Sequence, residues 1–141
     1  MARLYPSLLL LVASMVLVSR AAHAWGTPKV VREFEDIPEN YVYVQQALWF
    51  AMKEYNKASR DAYSFKVEKV LKSQEQVTDG LDYFLQVQIA RTVCKRTSEE
   101  NVNCPFQQDP QMKKMFLCTF IIATKPWVFE LTMLKNQCKD V

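Results

Sequence analysis

Residues 83–89 read Tyr83-Phe84-Leu85-Gln86-Val87-Gln88-Ile89, with Asp82 just before them. Tyr83, Leu85, Val87 and Ile89 fall two apart and share one face, while Asp82, Gln86 and Gln88 take the other. A period of two with one apolar side is the pattern of a strand buried on a single face. Three more stretches repeat it. Tyr63, Phe65 and Val67 form one run, Phe116, Cys118, Phe120 and Ile122 another, and Phe129, Leu131 and Met133 a third. A further short strand is expected around residues 29–32.

Upstream of these runs the period changes. Between Asn40 and Ser59, apolar residues recur at steps of three and four: Val44, Ala47, Leu48, Ala51 and Tyr55. That spacing places them on one face of a helix, with Gln45, Lys53 and Asn56 turned toward water. Pro38 and Glu39 sit near the expected helix start, where a fixed φ and a negative charge both suit the first turn. One helix followed by short two-faced strands argues for an α+β fold. The sheet should be antiparallel, because the links between strands are too short for helical crossovers. The expectation is one long helix packed on a four- to five-stranded antiparallel sheet. Residues 95–113 are polar, charged and proline-containing, so a long exposed loop is expected there.

The first residues have a different character. Arg3 precedes an apolar run from Leu8 to Val18, and Ala22-His23-Ala24 follows before Trp25. A basic start, a short apolar segment and an A-x-A site are the parts of a secretory signal peptide. A membrane anchor is the competing reading, but Pro6 and serines interrupt the segment and its apolar core is short for a span. Cleavage after Ala24 is therefore expected, dividing the chain into a signal peptide, 1–24, and one domain, 25–141. No later stretch is apolar enough to cross a bilayer, so the mature protein is expected to be secreted and extracellular. Cleavage would remove Arg3 and Arg20 and lower the formal charge from +3 to +1. With no basic stripe interleaved with aromatics, nucleic-acid binding has no support.

The sole histidine of the 141 residues is His23, inside that leader. A Ser-His-Asp triad, a Cys-His pair and an H-E-x-x-H zinc site all need an imidazole, so the mature chain is not expected to be an enzyme of those kinds. Four cysteines are present: Cys94, Cys104, Cys118 and Cys138. In an exported chain an even count reads as a disulfide framework with three possible pairings, of which the sequential one suits hairpins. The C-x-x-C spacing usual for structural zinc is absent, and neither metal nor cofactor is called for.

Several stretches together resemble the secreted, two-disulfide type 2 cystatins. They are Ala47–Ser59 ("ALWFAMKEYNKAS"), Tyr83–Cys94 ("YFLQVQIARTVC"), Asn103–Phe106 ("NCPF") and Lys125–Trp127 ("KPW"). The cysteine spacings of ten and twenty also match the family, and the details are closest to its male reproductive-tract branch. The resemblance implies inhibition of papain-like, cathepsin-type cysteine proteases by a reversible wedge. That wedge has an N-terminal segment with glycine, a first hairpin loop of the form Q-x-V-x-G, and a second loop carrying Pro-Trp.

Position by position, the match is uneven. Pro126 and Trp127 stand where the family has Pro-Trp, and a tryptophan at a turn tip is a frequent binding hot spot. The first loop, Gln76-Val77-Thr78-Asp79-Gly80, keeps its two ends but has Thr78 where the family has valine. Burying that hydroxyl without a partner would cost about 1–3 kcal/mol. Asp79 adds a charge that a protease cleft would have to desolvate. Arg32 and Glu33 fall where paired glycines would lie, and Gly26 comes too early to replace them. Arg60 occupies the position of the asparagine that inhibits legumain-type proteases, so that second activity does not carry over. The departures motivate an alternative: a non-inhibitory extracellular interaction or self-assembling protein on the same scaffold, for which hairpin exchange is one route.

Overall fold

The computed structural model describes residues 32–97 and 103–141. The leader, its cleavage point after Ala24, and Gly26 lie outside the described residues. So do residues 29–31 of the expected early strand. The strand that is observed comes later, at Glu35–Asp36 (β1).

A single helix, Val42–Ala58 (α1), follows. Val44, Ala47, Leu48 and Ala51 are buried along one face, and Tyr55 is half-buried at its end. Pro38 and Glu39 do not occupy the first turn. They form a separate turn before it, in which Tyr41 N–H donates to the Pro38 carbonyl. Tyr41 then takes the N-cap position without a side-chain cap. At the other end Arg96 covers two free helix carbonyls, those of Asn56 and Lys57, each at 3.4 Å. A cation there meets the negative end of the helix dipole.

Four long strands complete the fold: Tyr63–Val77 (β2), Leu81–Lys95 (β3), Met115–Lys125 (β4) and Glu130–Asp140 (β5). All neighbours are antiparallel, and the sheet order is β1-β2-β3-β4-β5. Tyr83, Leu85, Val87 and Ile89 of β3 join Cys118, Phe120 and Ile122 of β4 in packing against the helix. Ala47 and Ala51 carry no bulk, so the helix can lie close to this face.

β2 departs from strict alternation. Register shifts occur between Tyr63 and Phe65, Val67 and Lys69, and Val70 and Lys72. The last two shifts each leave an unpaired residue on β2, Glu68 and Leu71, so the inward positions after Phe65 run Val67, Val70 and Ser73 rather than every second residue. The extra twist lets a 15-residue strand bend around the helix.

The last alternating run needs a correction. Leu131 and Met133 pack on the core, but Phe129 does not belong to a strand. It closes a short 3₁₀ turn over Pro126–Val128, lies in the left-handed region and is 94% exposed. Its even spacing from Leu131 and Met133 is a coincidence of parity, because the chain reverses at Phe129 before the ladder resumes at Glu130.

The cysteines pair in sequence. Cys94–Cys104 pins the loop after β3, and Cys118–Cys138 joins directly opposed positions of β4 and β5. Residues 103–113 are held more firmly than a free loop. Thr92 bridges Phe106, Lys66 Nζ sits 4.3 Å over the Phe106 ring, and the same amine donates to the Cys104 carbonyl at 2.7 Å. Arg91 ties the far end, pairing with Asp61 at 2.5 Å and donating to the Met112 carbonyl at 2.7 Å.

Candidate functional site

The β2–β3 and β4–β5 hairpins turn at the same end of the sheet. Strand register puts them side by side, since Val77 pairs with Leu81 and Leu81 pairs with Thr124. Two contacts lock the loops together. Thr124 Oγ1 donates to the Leu81 carbonyl at 2.8 Å. Gly80 is buried so tightly beside the second hairpin that a Cβ added there would overlap the Thr124 carbonyl oxygen. Its φ is not positive, so glycine is required here for space rather than for backbone freedom.

The middle of the first loop is internally bonded. Thr78 N–H donates to the Gly80 carbonyl at 3.0 Å, and Gly80 N–H donates to Thr78 Oγ1 at 3.2 Å. In the free protein the Thr78 hydroxyl is therefore not unpartnered. It accepts a bond that valine could not, and closes the turn on itself. Val77 is exposed, Gln76 half-buried, and Asp79 exposed.

Asp79 has an electrostatic neighbour that sequence reading passed over. Asp82 has its carboxyl pKa raised, first by partial burial and then by the negative charge of Asp79. An acidic group in the first turn and another at the start of β3 thus feel each other's charge.

In the second loop Trp127 is 64% exposed, with Val128 also exposed and Pro126 half-buried. The tryptophan stands off the core, at the tip of the turn, as its place beside a turn proline suggested.

The N-terminal arm reaches the same end. β1 runs antiparallel to β2, with Glu35 opposite Glu75 and Asp36 opposite Gln74. Residues before Glu35 therefore lead toward Gln76 and Val77. Phe34 anchors the arm by an edge-to-face contact with Phe84, ring centroids 5.9 Å apart. Arg32 and Glu33, both exposed, precede that anchor.

Beneath the arm, buried Tyr83 donates its hydroxyl to Glu75 at 2.8 Å. Burial foremost, then the bond to Glu75 and its charge, hold the phenol far above its usual pKa, so it remains a neutral donor. Among the described residues no group of three or more His, Cys, Asp or Glu side chains could hold a metal ion. No described helix is long and apolar enough to cross a membrane.

Comparison with known proteins agrees with this geometry. The cystatin domain model matches residues 33–127. Cystatin-13 of Mus musculus is 62% identical over 141 residues, covering both chains completely. Cystatin-8 of Homo sapiens is 37% identical over 134 residues, or 95% of this chain and 94% of that one. Among solved structures, dimeric human cystatin F superposes with a TM-score of 0.73 at 25% identity, over 77% of this chain and 87% of the other. With one helix laid across a five-stranded antiparallel sheet, two sequential disulfides and paired hairpin tips, the chain belongs to the type 2 cystatin family.

Proposed function

We propose that this protein is a secreted, reversible inhibitor of papain-like cysteine proteases, and that it binds through Gln76–Gly80 and Pro126–Trp127. The observation that carries the reading is the locked pair of hairpins with an exposed tryptophan at one tip. A rigid edge loses little freedom on docking, so apolar contact area converts into affinity rather than being spent on ordering loops. The protein acts by blocking a cleft and performs no chemistry of its own. Cleavage after Ala24 delivers it outside the cell, and the male reproductive-tract branch, with cystatin T as the member whose details it resembles, gives its setting.

Two features narrow the inhibition. Arg32 and Glu33 make the arm bulky and charged where the family has glycine. Asp79 and Asp82 bring negative charge to the first loop, which disfavours a cleft whose rim is acidic. Titration of papain and a cathepsin-type protease with refolded 25–141 tests the reading. Reversible inhibition in the nanomolar to micromolar range is expected, and none at about 100 μM would sink it.

The same acidic pair favours a second reading, a scaffold that has left inhibition for extracellular interaction or self-association. The dimeric state of human cystatin F gives that reading a structural parallel. The combined variant Thr78→Val, Arg32→Gly and Glu33→Gly separates the two. An inhibitor gains strength from this change, whereas a non-inhibitory scaffold has no inhibition to strengthen.

A further inference from the structure

Three consecutive apolar side chains, Trp127, Val128 and Phe129, stand in water at the second hairpin, 64%, 55% and 94% exposed. An unbroken exposed apolar run is a liability unless a partner covers it.

Phe129 is the unusual member. Among the described residues it is the one non-glycine with positive φ, at φ 53° and ψ 38°. For a bulky side chain that region is an outlier, whereas glycine enters it freely. The turn itself does not call for an aromatic. Its closing bond runs from Phe129 N–H to the Pro126 carbonyl at 3.3 Å, so only the main chain is used. Nor does the ring contribute to the core, from which it points away. Phe129 is thus adverse to the free protein twice, by its backbone conformation and by its solvent-facing ring. Residues held in such conformations concentrate where they bind something.

We propose that Phe129 is a further contact of the second loop, seated against an apolar rim of the protease cleft next to the ground taken by Trp127, and that it sets selectivity among proteases. The occupant follows from continuity. Phe129 lies in the same turn as Pro126 and Trp127, bounded by the Lys125–Glu130 pair, so whatever covers Trp127 meets Phe129. The assignment rests on the inhibitor reading above.

Phe129→Gly tests it, with inhibition constants measured against papain and two cathepsin-type proteases beside a thermal melt. Relief of the left-handed strain should raise Tm by roughly 4 °C. Inhibition should weaken about tenfold or more for at least one protease, and unequally across the three. Phe129→Leu, which keeps apolar area, should recover part of the loss. Opposite signs for stability and binding are what a merely structural side chain would not give. If the parent protein inhibits but Phe129→Gly stays within about twofold for every protease, the proposal is overturned and the inhibitor reading stands. A lower Tm for Phe129→Gly would show that the ring supports the fold and also overturn it. If the parent protein inhibits none of the three, both readings fall together.

Discussion

At Gly80 the main chain passes so near the Thr124 carbonyl that no side chain fits, and one methyl group should push the two hairpins apart. Gly80→Ala is expected to destabilise the protein by roughly 1–3 kcal/mol, read as a lower urea midpoint with an unchanged m-value. It should also weaken protease binding, because the edge depends on both loops keeping their relation. Asp82 gives a pH-dependent counterpart. Burial and Asp79 raise its folded pKa above the unfolded value, so the folded state binds the proton more tightly. Ionised Asp82 therefore opposes folding above its folded pKa, and this penalty fades as pH falls through that value. Asp82→Asn should raise Tm at pH 7 and lose its advantage by about pH 3, where the carboxyl is protonated in both states. A gain that persisted undiminished at low pH would contradict this assignment. In Tyr83→Phe, Glu75 loses a buried donor, and a loss of about 1–2 kcal/mol is expected in chemical denaturation.

The elements differ in how openly the sequence announced them. β3 and β4 bury one face against the helix, so the period of 2 survives intact from Tyr83 to Ile89 and from Phe116 to Ile122, and the period of 3.6 from Val44 to Tyr55. β2 is harder to read, because its bulges shift the inward positions to Val67, Val70 and Ser73. The start of β5 misleads for another reason. Phe129 keeps the parity of Leu131 and Met133, yet a left-handed turn takes it out of the strand. At the site, Gln76, Gly80, Pro126 and Trp127 were legible as motif positions. The Gly80–Thr124 approach was not, since it arises only when two hairpins distant in sequence lie side by side. Packing between elements is equally specific. Ala51 is fully buried where the helix meets the sheet, so Ala51→Leu should cost about 1–3 kcal/mol by overpacking.

For the molecule as a whole, the sheet brings three separate stretches of chain to one end: the arm before Glu35, the Val77–Leu81 turn and the Pro126–Phe129 turn. The helix and Cys118–Cys138 brace the strands beneath them. Binding should therefore depend on side chains at that end while stability depends on the body behind it. Trp127 separates the two most cleanly, because it is exposed and contributes nothing to the core. The most direct measurement is the inhibition constant of papain for the 25–141 protein and its Trp127→Ala variant, with Tm recorded for both. The expected result is reversible inhibition that weakens about tenfold or more in the variant at unchanged Tm. Equal inhibition by the two proteins, or none by the parent, would contradict a protease-binding edge at these hairpins.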